Sequence, residues 1–511
     1  MKKPVRSRIV FLIMLMINIA PCFGASGFNV GLVPLDNRPV CLTHTVKLGK
    51  IAGLNVAVPT YAAVGAFNFW GEPDAVLEWL EREGPNMDVL ILSIEMATTG
   101  GLVASRTDKF SHEEVMERLN RIEKFAAENP QVKIWAFGIL QRIARTRTDR
   151  KDEDYVTSIM NRYFLALDEA EAIGNERSVA EAKNLKKLIP DKNLKSYIAA
   201  RERNHASNLK TIEMASRGVF DLLVIGMDDN AVYGPHRKER ESLEQRVMQL
   251  GAGEKVIIKS GADEIGQLFM SRAAMMLYGI TPDVYVAATD QKILERIPAL
   301  EDRTLDASVT LALTLGGARR ADHADETNLV LFIHGDENLN DADAKAVATL
   351  IKKKFRVSIA DVSETNKGSV EFSEALGKYI DDIANLAGYA GWNTASNTTG
   401  TAVAMLLIDS IKGDSFLEEK RQQFLLERFI DDVLYMGSVR PWIEKQKFSG
   451  EDEGERYISM RRTLVAELRE KSDEFIKKYL PRALSADLRI DVKIPWFRFF
   501  EIDVDARFKQ P

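Results

Sequence analysis

The chain has 511 residues, 45% hydrophobic and 28% charged, with a formal net charge of −6. That composition describes a globular protein too long for one core, so two or more domains are expected. The acidic balance argues against nucleic acid or an anionic membrane surface as partner.

Residues 1–24 read as a secretory signal peptide. Lys2, Lys3, Arg6 and Arg8 form a basic head, Ile9 to Ala20 an uncharged apolar run, and Pro21-Cys-Phe-Gly24 breaks that run before Ala25. The expected location is therefore periplasmic or extracellular. Pro21 stands where a lipoprotein box needs a small residue, which argues against anchoring through Cys22. Losing the leader removes four positive and no negative charges, leaving −10. No later stretch approaches about 18 consecutive apolar residues, so no stable membrane insertion is expected. Cys41 is then the one remaining cysteine, which leaves no internal disulfide. Its simplest role is that of a small buried residue.

Ten short apolar runs follow, most of them bare rather than alternating, as in parallel strands covered on both faces. They are Phe28–Leu35, Asn55–Pro59, Asp88–Ser93, Lys133–Leu140, Asp221–Gly226, Lys255–Lys259, Asp283–Ala288, Leu329–His334, Arg356–Ala360 and Asn385–Tyr389. Helical patterns separate them, which defines an α/β protein of mostly parallel sheets. The connections change rhythm after the sixth run. Two doubly wound lobes are therefore expected, residues 25–280 and 281–412, with a TIM-like barrel plus a C-terminal domain as the alternative.

Residues 151–218 read as a helical insertion in the first lobe. Val156, Ile159, Met160, Tyr163 and Phe164 keep a helical period, with a turn expected at Asp191-Lys-Asn-Leu194. Residues 413–511 read as a C-terminal helical layer ending in a β-hairpin. Its strands are expected at Leu488–Ile494 and Phe500–Val504, with Pro495-Trp496 between.

Polar groups collect at the strand ends, which share one edge of a parallel sheet. They include Asp36 and Arg38 after the first strand, Glu95 and Arg106 after the third, Asp228-Asp229 after the fifth, and Asp263-Glu264 after the sixth. The run Gly388–Gly400 adds Trp392, Asn393 and Asn397 without a charge, and a helix is expected from Thr401. Arg201 and Asn204 share one face of a helix in the insertion.

Six blocks occur in order: Leu35-Asp-Asn-Arg-Pro39, Gly100-Gly-Leu-Val-Ala-Ser-Arg106, Arg201-Glu-Arg-Asn204, Asp228-Asp-Asn230, Gly261-Ala-Asp-Glu264 and Gly388–Gly400. With them the chain resembles the bacterial family catalogued as domain of unknown function 4127. The resemblance spans nearly the whole chain beyond the leader and implies no activity, cofactor or catalytic residue. The chemistry therefore rests on residue types.

Acids from neighbouring strands suit general acid/base or nucleophilic work, as glycoside hydrolysis requires. Asp228 or Asp229 with Asp263 or Glu264 are the candidate catalytic groups. Each of the four has an alternative role as a helix cap or a structural partner. Asp36, Arg38, Glu95, Arg106, Arg201, Asn204, Trp392, Asn393 and Asn397 are the candidate substrate contacts. Their amides, forked donors and indole suit a hydroxyl-rich or carboxylate-bearing ligand. The aromatic residues of Phe67-Asn-Phe-Trp70 and Tyr233 add to that reading.

No His pair has the spacing of a metal motif, and neither a P-loop nor a dinucleotide fingerprint is present, so no metal or cofactor is expected. The expected function is an exported hydrolase acting on a glycan or oligosaccharide through a pair of carboxylates in an inter-lobe cleft. The alternatives are an envelope solute- or sugar-binding protein and a metal-dependent amide or ester hydrolase. Amino-terminal sequencing of the exported protein tests the leader. The chain should begin at Ala25, and an intact Met1 would remove export from this reading.

Overall fold

The computed structural model describes residues 27–67, 69–143, 151–228, 230–411, 415–446, 453–479, 488–496 and 498–508. The leader and Asp229 lie outside the described residues. The strands are β1 (Asn29–Val33), β2 (Asn55–Ala57), β3 (Val89–Ser93), β4 (Lys133–Leu140), β5 (Leu222–Met227), β6 (Val256–Ser260), β7 (Asp283–Ala287), β8 (Arg319–Arg320), β9 (Leu329–His334), β10 (Arg356–Asp361), β11 (Gly388–Ala390), β12 (Leu488–Lys493) and β13 (Asp503–Phe508).

The first six form one sheet in the order β2-β1-β3-β4-β5-β6, and the next five form another in the order β8-β7-β9-β10-β11. Every pairing in both sheets is parallel. Both sheets are wound alike. In each, the second strand flanks the first at an edge and the third pairs on the first strand's other side. The alternative of a TIM-like barrel is therefore wrong, because these are two open sheets. The bare apolar runs could not distinguish the two, since strands buried on both faces look alike in either architecture.

All ten expected strands are present within a few residues. β8 has no apolar signal, being two arginines on the sheet edge, where β7 supplies the pairing. β12 and β13 pair antiparallel with Val492 opposite Val504. The second strand of this ribbon starts at Asp503, three residues later than its alternation suggests.

The two sheets share one apolar core, in which Leu32, Leu90, Val224, Val330 and Ile359 are all fully buried. Helices Ile265–Leu277 and Ala395–Asp409 pack against each other within it, the second also lying on β10 and β11. Every residue of Ala395–Asp409 is buried. This helix begins six residues before the expected Thr401. Asn397, Thr398, Thr399 and Gly400 are poor helix formers, and burial against two neighbouring layers outweighs their propensity. Gly400 is required by the packing, because a Cβ there would stand 2.4 Å from Glu264 Cγ.

The insertion folds as three helices, Lys151–Ile173, Glu176–Lys186 and Asp191–Ser216. They have a small core of their own containing Ile159, Met160, Tyr163, Phe164, Leu185 and Tyr197. Asp191 opens the third helix after Pro190 rather than forming a turn, as suits an acid in a first helical turn. Beyond the second sheet, Ser415–Arg428 runs into a π-helical segment, Phe429–Val439. Among the described residues no helix is long and apolar enough to cross a membrane.

Candidate functional site

In the first sheet the chain reverses direction between β1 and β3, and a crevice opens above the carboxyl ends of such strands. A cleft of about 380 Å³ lies there. Arg38 enters from the turn after β1, Arg106 from beyond β3, Arg142 from beyond β4, Asp228 from the end of β5 and Asp263 from beyond β6. The second sheet contributes Asn366, Asn393, Thr394 and Asn397, and the segment between β12 and β13 adds Trp496, Arg498 and Phe500. Gly100 and Gly101, with φ of 82° and 111°, make the turn that brings Leu102 and Val103 to the wall. Only glycine adopts that second conformation readily.

Arg38 is the most constrained of these groups. Its Nε donates to both Asp36 oxygens at 3.0 and 2.9 Å, while Nη1 and Nη2 donate to Asp263 at 3.0 and 2.7 Å. Burial opposes its charge, but Asp263 and Asp36 more than compensate and hold the guanidinium far above its ordinary pKa. The same guanidinium lies 5.2 Å from the centre of the Trp496 ring. The Cys41 thiol beside it is pushed up by burial and then by Asp36, as suits an inert buried cysteine.

Asp228 is bonded by Arg106 and lies 3.8 Å from Arg142 Nε. Burial alone would raise its pKa, yet Arg106, Arg142 and Arg38 bring it below the ordinary value, so it is ionised. Arg106 is lowered to about 10, first by burial and then by repulsion from Arg142, and it stays charged at neutral pH. Glu95 behaves oppositely. Burial raises it to about 7, only partly offset by the Ile139 amide that donates to it at 2.7 Å, and Asp228 raises it further. Its Oε2 is buried with no hydrogen-bond partner. Asp228 is thus ionised near neutral pH, while Glu95 titrates close to it.

The expected site residues fall into three groups. Arg38, Arg106, Asp228, Asp263, Asn393 and Asn397 line the cleft. Asp36 and Glu95 stand just behind it on Arg38 and the end of β4. Glu264 is fully buried on Lys259 and is absent from the described lining. Burial raises its pKa despite that lysine. Arg201 bonds the Gln141 and Arg142 carbonyls and Glu239, and Asn204 bonds the Ser105 carbonyl and Gln141. Both fix the backbone around Arg106 and Arg142 from behind. Trp392 donates to Thr401 and faces a smaller cavity of about 40 Å³ behind the cleft.

Arg142, Asn366, Thr394, Trp496, Arg498 and Phe500 also line the cleft. The run Pro495-Trp-Phe-Arg-Phe-Phe500 was the available signal for three of them, an arginine among aromatics between two strands. Backbone strain collects here too. Leu300, Asn366 and Asn393 have φ of 65°, 69° and 54°, and all three line the cleft. Among the described residues Asn397 Oδ1, buried in the lining, has no partner, while its Nδ2 donates to Thr394. Among the described residues no group of three or more His, Cys, Asp or Glu is placed to hold a metal ion.

The protein is a doubly wound α/β protein with an arginine-rich cleft at a strand-order switch point of its first sheet. The chain belongs to the family described as "Protein of unknown function (DUF4127)", whose model matches residues 30–505. No curated protein matches the sequence.

Glu95 gives this site a pH signature. Its pKa is higher folded than unfolded, so its contribution to stability is present below about pH 4.5 and is lost as pH rises through about 7. Glu95→Gln stays neutral. Between pH 5 and 8 the wild type should lose up to about 3 kcal/mol relative to this variant in urea unfolding. Parallel stability profiles would contradict the assignment.

Proposed function

We propose that the protein is an exported hydrolase that acts on a glycan or oligosaccharide held in this cleft. The observation that carries the reading is ionised Asp228 in a cleft walled by amides and hydroxyls, with Glu95, raised to about 7, buried just behind it. Asn397 Oδ1, a buried acceptor without a partner, suits a sugar hydroxyl donor.

In this reading Asp228 is the base or nucleophile, and Glu95, buried behind the cleft, tunes its charge. Asp263, locked to Arg38 and accepting from Asn393 Nδ2 at 3.3 Å, orients the substrate. A second reading, an envelope sugar-binding protein without catalysis, is favoured by one feature. Both lining carboxylates, Asp228 and Asp263, are engaged in ion pairs.

Screening the leader-free protein against a glycan library for release of reducing ends separates the two. Asp228→Asn should lower turnover by about 100-fold or more, and Glu95→Gln should remove a titration near pH 7 from the rate profile. Unchanged turnover in Asp228→Asn would discard the catalytic assignment. Binding without turnover in the wild type would favour the second reading.

A further inference from the structure

Arg498 reaches the cleft from the segment between β12 and β13. Its guanidinium lies 4.5 Å from the ring centre of Trp496, 5.4 Å from that of Phe500 and 5.6 Å from that of Phe67. Glu501 engages only Nε, at 3.0 and 3.1 Å. Among the described residues Nη1 and Nη2 have no hydrogen-bond partner, and the side chain is 30% exposed. A guanidinium stacked on aromatic rings is oriented before a ligand arrives. Its free edge presents donors whose geometry matches a carboxylate or a phosphate.

The surroundings favour the same ligand chemistry. Arg38, Arg106 and Arg142 line the same cleft, so four guanidinium groups face two carboxylates among the described lining residues. Arg142 and Arg38 crowd Arg106 electrostatically, and an anion placed among these cations lowers that repulsion. The amino end of helix Ala395–Asp409 borders the cleft through Thr394 and Asn397, adding partial positive charge. The absence of charge in Gly388–Gly400 therefore describes one wall and not the ligand.

Resting on the carbohydrate reading above, we propose that the sugar unit held in this cleft carries an anionic group, a carboxylate or a phosphate ester, and that Arg498 selects it. The rest of the unit lies toward the amide wall, where Asn397 Oδ1 accepts a hydroxyl.

Calorimetric titration of the full chain with D-glucuronic acid, D-glucose 6-phosphate, D-glucose and inorganic phosphate tests this. The two charged sugars should bind at least about tenfold more tightly than glucose, with an affinity that falls as salt is added. Arg498→Ala should remove that advantage, bringing the charged sugars to within about twofold of glucose. Arg498→Lys, which keeps the charge and loses the fork, should recover only part of it. Thermal melts show whether each variant is folded. If Arg498→Ala is not folded, Arg498→Lys carries the test through the same loss of preference for charged sugars. The ratio of uronate to sugar-phosphate affinity identifies the anion. Phosphate binding that needs Arg498, with no gain from a sugar ring, would keep the anion site and sink the carbohydrate reading. Glucose binding as tightly as the charged sugars, or no binding of any charged probe, would overturn the proposal.

Discussion

Arg38 is held by two carboxylates from distant parts of the chain, and the cleft is built around that contact. Asp36 shares its turn after β1, while Asp263 belongs to the turn after β6 that leads into helix Ile265–Leu277. One guanidinium thereby fixes two strand ends of the first sheet and supports Trp496 of the C-terminal segment. All three charges are buried, so removing Arg38 would leave two carboxylates without their cation in a low-dielectric setting. The same logic recurs around the site. Arg201 and Asn204 bind main-chain carbonyls that water would otherwise satisfy, and Asn393 leans on Asp263.

The second sheet reaches this site through helix packing. Its winding repeats that of the first, and at the carboxyl end of β9 His334 is fully buried, bonded to Asp343 at 2.7 Å and stacked on Phe372. What the second sheet supplies is the turn after β11 and the helix that follows. Glu264 and Gly400 set how closely that helix approaches Ile265–Leu277. This gives Glu264 a packing role, with Lys259 as its buried counter-charge. Glu301 accepts from the Ser396 amide and hydroxyl at 2.8 and 2.6 Å, anchoring the same helix start from a third segment. The wall of the cleft is thus rigid at its base, while Asn397 keeps one acceptor unused.

Much of the fold was legible because parallel strands buried on both faces appear as bare apolar runs. What was not legible depended on tertiary contacts. Ala395–Asp409 begins where its composition argues against a helix, and β8 exists only because β7 offers it a partner. At the site, the strand ends were readable as a converging set. The direction of each side chain was not. Asp263 and Glu264 are adjacent, yet one faces the cleft and the other is buried on Lys259. Glu95 was visible as an acid at a strand end, but its raised pKa follows from burial that only packing reveals. Trp496, Arg498 and Phe500 come from the segment between β12 and β13, and they add a fourth guanidinium group to the described lining.

The buried contact of Arg38 with Asp263 holds the cleft together. A double-mutant cycle with Arg38→Met and Asp263→Leu, read by urea unfolding, measures it directly. Arg38→Met should cost about 3–5 kcal/mol, because it leaves Asp36 and Asp263 buried without their cation, and Asp263→Leu should cost less, because Arg38 keeps Asp36. The double change should cost at least about 1 kcal/mol less than the sum of the two. Additivity within about 0.5 kcal/mol would mean that the pair is not coupled, and the account of the cleft built on it would be wrong.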